Sequence, residues 1–117
     1  MKISGIGIDI IEVKRIKRIA QKNKRFLTRV FTPQEIEYCS KKKNKWPHFA
    51  VRFAAKEAIW KALGRNGINL KDISVTNTPS GKPAAVLKGR MKKWEKNIYV
   101  SLSHCDDYAL AQAILVK

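Results

Sequence analysis

From Ile3 to Ile11 the chain is apolar and β-branched, broken only by Ser4, Gly5, Gly7 and Asp9, and this pattern predicts a strand. The period then changes. Over residues 12–22, Ile16, Ile19 and Ala20 form an apolar helical stripe, while Arg15, Arg18 and Lys22 fall on a different face. Thr32-Pro33-Gln34-Glu35 reads as a helix start, because Thr can cap, Pro fits the first helical position and Glu completes a capping box. That helix is expected to run to about Lys42. Trp46-Pro47 opens the next and longest helix, which continues to Leu63 and ends on Gly64. A turn-rich loop, Gly64 to Lys71, leads to an alternating strand, Asp72 to Thr78. The turn Pro79-Ser80-Gly81-Lys82-Pro83 returns the chain into a short strand ending at Leu87, and residues 90–96 form a short basic helix. Ile98 to His104 alternates strictly and pairs as a hairpin with Tyr108 to Val116 across Cys105-Asp106-Asp107. The order β-α-α-α-β-β-α-β-β predicts a single α+β domain over residues 1–117, with a mainly antiparallel sheet and helices packed on one side.

Within the long helix, Phe53, Glu57 and Lys61 share one row at intervals of four. Taken alone, Glu57 and Lys61 are an ordinary surface pair worth about 0.2–0.5 kcal/mol. Ala54, Ala55, Ala58 and Ala62 lie mostly on the other side and allow a neighbouring element to approach closely. Asp9 is the odd residue of the first strand. An acidic group in an apolar run must be solvated, paired or bound to a cation, since burying it alone is costly. A dinucleotide fingerprint is excluded, because a third glycine and an immediate helix are missing.

Composition adds an expected partner. Lys and Arg number 25 against 9 acidic residues, a net charge of +16, which predicts an anionic ligand without choosing its kind. Eight of those bases and no acid lie between Lys14 and Arg29, a one-sidedness that suits an acidic docking surface. Phe26 lies between Arg25 and Arg29, where it can serve either as an apolar anchor or as core. Cys39 and Cys105 lack metal-binding or redox spacing. No apolar run is long enough to span a membrane, and the first residues read as a strand rather than a signal peptide, so a cytoplasmic protein with no membrane partner is expected.

Ser103, His104 and Asp106 invite a hydrolase reading, which fails because Ser103 and His104 point to opposite faces of a strand. Asp9 and Glu57 are better candidates as a pair. Carboxylates without Cys or clustered His suit a hard cation such as Mg²⁺, whose shell is completed by waters and substrate phosphates. Lys61 and Arg52 would add phosphate-neutralising charge.

The ordered set Gly5-Ile-Gly-Ile-Asp-Ile-Ile-Glu-Val with Arg15, Phe31-Thr-Pro-Gln-Glu-Ile, Arg52-Phe-Ala-Ala-Lys-Glu-Ala with Lys61, Ser80-Gly-Lys-Pro and Ser101-Leu-Ser-His with Tyr108 resembles the holo-acyl-carrier-protein synthases, the small bacterial phosphopantetheinyl transferases. The resemblance runs through the whole chain in order. It implies transfer of the 4′-phosphopantetheine arm of coenzyme A to a serine of apo-acyl carrier protein, for fatty acid biosynthesis. Asp9 and Glu57 match the family's metal ligands for Mg²⁺, and Lys61 matches the lysine on the pyrophosphate of coenzyme A. The acceptor of the serine proton stays open between Glu57 and a metal-associated water. Arg52 and His104 match contacts to the nucleotide end, the turn Gly81-Lys82-Pro83 matches a segment lining the adenosine, and Gly64 opens a phosphate-side loop. Arg15, Arg25, Phe26 and Arg29 match the surface that docks the acidic carrier helix. The family's homotrimers, with active sites between subunits, imply the same assembly here. Two departures stand out. The loop Gly64-Arg-Asn-Gly-Ile-Asn is shorter and poorer in glycine than the family's, so Arg65 would replace backbone contacts, and Cys105 stands where a Ser or Thr is usual.

Two other classes compete. A basic nucleic-acid-binding module accounts for the charge but lacks a recognisable motif and places carboxylates where phosphate would lie. A non-catalytic coenzyme A or carrier-binding protein would have no need of Asp9, Glu57 and Lys61 together.

Overall fold

The structure, a computed structural model, describes residues 1–64 and 66–117. Arg65, with the phosphate contact expected of it, lies outside the described residues. Strand β1 (Ile3–Glu12) leads into helices α1 (Val13–Lys22), α2 (Phe26–Val30), α3 (Pro33–Ser40) and α4 (Lys45–Leu63). Strands β2 (Ile73–Asn77), β3 (Pro83–Leu87), β4 (Ile98–His104) and β5 (Tyr108–Val116) follow. The predicted basic helix at 90–96 is a 3-10 segment, Gly89–Asn97, and a single 3-10 turn, Leu70–Asp72, precedes β2. Helix α2 was not expected, because five residues are too few to show a 3.6-residue period.

All strand pairing is antiparallel, as the alternation predicted, but it is divided between two sheets. One has the order β1-β5-β4, and the other is the β2–β3 hairpin. Helix α4 packs across the larger sheet, and its buried residues Phe49, Ala54, Ala58 and Ile59 belong to the same hydrophobic core as Ile11, Ala111 and Leu87. The capping box forms as the sequence indicated: Glu35 N–H donates to Thr32 Oγ1 at 3.2 Å, and Thr32 N–H donates to Glu35 Oε1 at 3.0 Å. Gly64, at φ 63°, ends α4 in the left-handed conformation and donates its N–H to the Trp60 carbonyl.

The contact between β1 and α4 organises the rest. Ideal Cβ atoms on Gly5 and Gly7 would fall 1.9 Å from the Ala62 carbonyl oxygen and 1.8 Å from that of Ala58. Backbone therefore lies on backbone, a fit that needs glycine on the strand and alanine on the helix. Two strand residues advance nearly as far as four helix residues, so the register of Gly5 on Ala62 and Gly7 on Ala58 places Asp9 near the next turn of α4. This arrangement also turns the usual face preference around. The small residues face the helix, while Ile6, Ile8 and Ile10 point outward at 60%, 56% and 65% exposure. No helix of the described residues is long and apolar enough to cross a membrane.

Candidate active site

Two clusters of functional side chains are strung along α4. The first joins the C-terminal half of the helix to β1. Lys61 Nζ donates to Asp9 Oδ1 at 3.3 Å and to the Ile8 carbonyl at 3.0 Å. Lys61 is thus not confined to its helical neighbour Glu57 but makes an ion pair that spans 52 residues of sequence. Glu57, one turn before Lys61, is half-buried. Burial raises its carboxyl pKa above the ordinary value and the Asp9 charge raises it further, against the lowering effect of Lys61. Two carboxylates that repel one another across a single ammonium leave negative potential to be neutralised. That donor set, all oxygen and open to solvent at Lys61, fits a hard divalent cation with a phosphate completing its shell. No third His, Cys, Asp or Glu joins them among the described residues, so most of such a shell would come from water and ligand.

The second cluster surrounds the N-terminal half of α4. Arg52 is buried, donates from Nη1 to the His48 carbonyl at 3.4 Å and lays its guanidinium 4.3 Å from the centre of the Tyr38 ring. Lys42 Nζ lies 4.5 Å from the same ring. The His48 ring meets both Tyr38 and His104, the latter at 5.4 Å between centroids. Burial lowers the His48 pKa, and the charges of His104, Arg52 and Lys42 lower it further. The Tyr38 phenol also titrates below its ordinary value: burial pushes it up, but Lys42 and Arg52 outweigh that. Asn77 Nδ2 donates to the Tyr38 hydroxyl at 3.4 Å, which ties the β2–β3 hairpin to the cluster. A cavity of about 460 Å³ opens here, lined by Tyr38, Arg52, Val75, Asn77 and Lys88 among others. Aromatic faces set among fixed positive charge suit an anionic aromatic ligand.

The remaining sequence candidates surround these clusters. Gly81 and Lys82 lie in the turn of the hairpin and Pro83 opens β3, the turn being closed by Thr78 N–H to the Lys82 carbonyl and Gly81 N–H to the Thr78 carbonyl. Pro83 stands opposite Asn77 in the β2–β3 register, beside the second cluster. Gly64 lies on the rim of another cavity, with Asn66, Arg90 and Trp94. Arg15, Arg25 and Arg29 are exposed around α1 and α2. Phe26 is half-buried against Phe31 and Phe53, at 6.3 and 6.2 Å between centroids. Phe53 heads the row that continues to Glu57 and Lys61, so the basic patch adjoins the first cluster.

Tyr38, His48 and Lys56 were not singled out from the sequence. For Lys56 a signal existed, because it lies four residues after Arg52 and three before Ile59, on the buried side of α4. Nothing local marked Tyr38 or His48.

The family model of the 4′-phosphopantetheinyl transferase superfamily matches residues 5–113. The chain belongs to this superfamily. Among its relatives, the holo-[acyl-carrier-protein] synthase of Caldanaerobacter subterraneus subsp. tengcongensis is 47% identical over 118 residues, covering 95% of this chain and 93% of the relative. The crystal structure of the Neisseria meningitidis holo-[acyl-carrier-protein] synthase superposes with a TM-score of 0.88 at 32% identity, covering 99% of this chain and all of that one. A Bacillus anthracis synthase solved in complex with CoA (3′,5′-ADP) gives a TM-score of 0.79 at 35% identity, covering 97% of this chain and 96% of that one. This phosphopantetheinyl transferase is therefore an enzyme of the holo-[acyl-carrier-protein] synthase kind, with the α+β fold of those structures.

Proposed function

We propose that the protein transfers the 4′-phosphopantetheine arm of coenzyme A to a serine of an acidic apo-acyl carrier protein, in the cytoplasm and for fatty acid biosynthesis, with Mg²⁺ held by Asp9 and Glu57. The serine oxygen bonds to the phosphorus that carries pantetheine, the pyrophosphate P–O bond breaks, and adenosine 3′,5′-bisphosphate leaves as the serine gives up its proton. The observation that carries this reading is the meeting of Asp9, Glu57 and Lys61 on β1 and α4. When bound, Mg²⁺ supplies a Lewis acid and a template for the pyrophosphate. Lys61 neutralises charge on the departing phosphate. Arg52, His104 and the turn Gly81-Lys82-Pro83 bind the nucleotide end, with Tyr38 and His48 as added walls, and Gly64 borders the phosphate side. Arg15, Arg25 and Arg29 attract the acidic carrier helix, and Phe26 offers it an apolar contact that runs through Phe53 toward Glu57. Nucleic-acid binding is the less favoured use of the charge, because two carboxylates stand inside the candidate phosphate site.

Incubation with apo-acyl carrier protein, coenzyme A and Mg²⁺ should add one phosphopantetheine mass to the carrier, and excess chelator should stop the addition. An unmodified carrier beside tight RNA or DNA binding would refute the reading.

The outer face of the larger sheet supports self-association, which the resemblance to the family makes a homotrimer. Ile8 and Ile10 of β1 stand opposite Gln112 and Leu110 of β5, and Tyr108 and Tyr99 extend the patch. A contiguous apolar face of this kind needs a cover, and copies of the same chain would provide it while bringing groups from two subunits to one site. Ile8→Lys with Leu110→Lys is expected to give monomers by light scattering and to reduce transfer sharply. A parent protein that is a fully active monomer would overturn the trimer.

A further inference from the structure

Beneath the second cluster lies a buried ion pair that no part of the proposed chemistry uses. Lys56 is 0% exposed and Glu35 4% exposed, with Nζ 2.7 Å from Oε1. Lys56 also donates to the Leu70 carbonyl at 3.1 Å and to the Ile73 carbonyl. Glu35 in turn accepts from Thr32 N–H at 3.0 Å and from Val75 N–H at 3.4 Å. One ion pair thus binds the start of α3, the middle of α4 and both sides of the entry into β2. Thr32, Glu35 and Val75 line the same cavity as Arg52 and Asn77, so Glu35 forms part of its wall and Lys56 holds Glu35 from behind. Arg52 lies one helical turn from Lys56, so the pair sets how far the turn of α4 that carries Arg52 stands from the hairpin that carries Asn77 and the turn at Gly81.

A buried ion pair is weak evidence for stability, since an apolar pair of similar volume often does as well or better. Its directional bonds do provide position. We infer that Glu35 and Lys56 are positioning residues, which hold the β2–β3 hairpin against α4 at the spacing that the nucleotide end of coenzyme A requires. This rests on the reading of the cavity as the nucleotide site.

The test is Lys56→Met, close in length but unable to donate. Isothermal titration with coenzyme A and steady-state transfer kinetics are measured well below the variant's melting temperature. With the hairpin displaced by about 1 Å, the expected loss is about 10²-fold in kcat/KM for coenzyme A, carried by KM and by the titrated affinity. KM for the carrier protein should stay near the parent value. A purely structural role would lower the melting temperature and leave coenzyme A affinity unchanged in the folded protein, and that result would overturn the inference. Equal losses for carrier and coenzyme A would overturn it too. If Lys56→Met does not fold, Glu35→Gln is measured the same way, since it preserves size and one acceptor oxygen while weakening the link to Lys56. A parent protein that fails to bind coenzyme A refutes the nucleotide-site reading itself, and so is distinguishable from failure of the positioning role.

Discussion

Glu57→Gln is expected to slow transfer severely while leaving the metal-free protein more stable at pH 7 than the parent. The two effects share one cause. Burial and the Asp9 charge raise the Glu57 pKa above its unfolded value. A group shifted in that direction gives its full stabilisation below the unfolded pKa and loses it as pH rises through the folded pKa. At neutral pH the ionised carboxylate is therefore a net cost to the empty site, and a neutral amide of the same shape removes it. Activity moves the other way, because the amide provides no anionic ligand for a divalent cation. A fall of about 10²–10³-fold in kcat is expected, the size seen when one electrostatic contact to a transition state is lost. Thermal melts in chelator, paired with mass-spectrometric transfer assays, read both quantities. Parental transfer by the folded variant would remove Glu57 from the site. A lowered melting temperature would instead make it a structural partner of Lys61.

Gly7→Ala should damage fold and site together. The added methyl carbon would sit 1.8 Å from the Ala58 carbonyl oxygen and 2.7 Å from its carbon. Both atoms are backbone, so no rotamer change relieves the clash and β1 must move off α4. Overpacking of this kind costs about 1–3 kcal/mol, occasionally more. Asp9 is two residues further along the same strand face, so it would move away from Lys61 and Glu57, and a shift of about 1 Å is enough for a roughly 10²-fold loss of activity. Gly64→Ala is the informative control. A Cβ there meets nothing within 4 Å, and only the positive φ of 63° is strained, at about 1–2 kcal/mol. Denaturant titration and the transfer assay should rank Gly7→Ala as the more disruptive of the two. Parental stability and rate in Gly7→Ala would contradict the close packing of β1 on α4.

The strands, the longer helices and the α3 cap were legible in the sequence because they depend on neighbours a few residues away. Period-2 alternation marks Ile98 to His104, and the capping box needs only Thr32 and Glu35. The row of Glu57 and Lys61 follows from helical geometry, as does the one-sided charge from Lys14 to Arg29. Which groups meet was decided by how elements pack. Asp9 reaches Lys61 only because Gly5 and Gly7 let β1 lie directly on Ala58 and Ala62, and the same contact turns Ile6, Ile8 and Ile10 outward. Glu35 looked complete as a cap, yet its second oxygen and its bond to Lys56 depend on where α4 and β2 come to rest. His48 and Tyr38 join Arg52 and His104 for a similar reason, since they come from α4, α3 and β4, and their separation in space is set by the core between those elements. Local sequence determines element type through short-range sterics and hydrogen bonding, whereas the site arises from long-range contacts whose register is fixed only when the backbones close on one another.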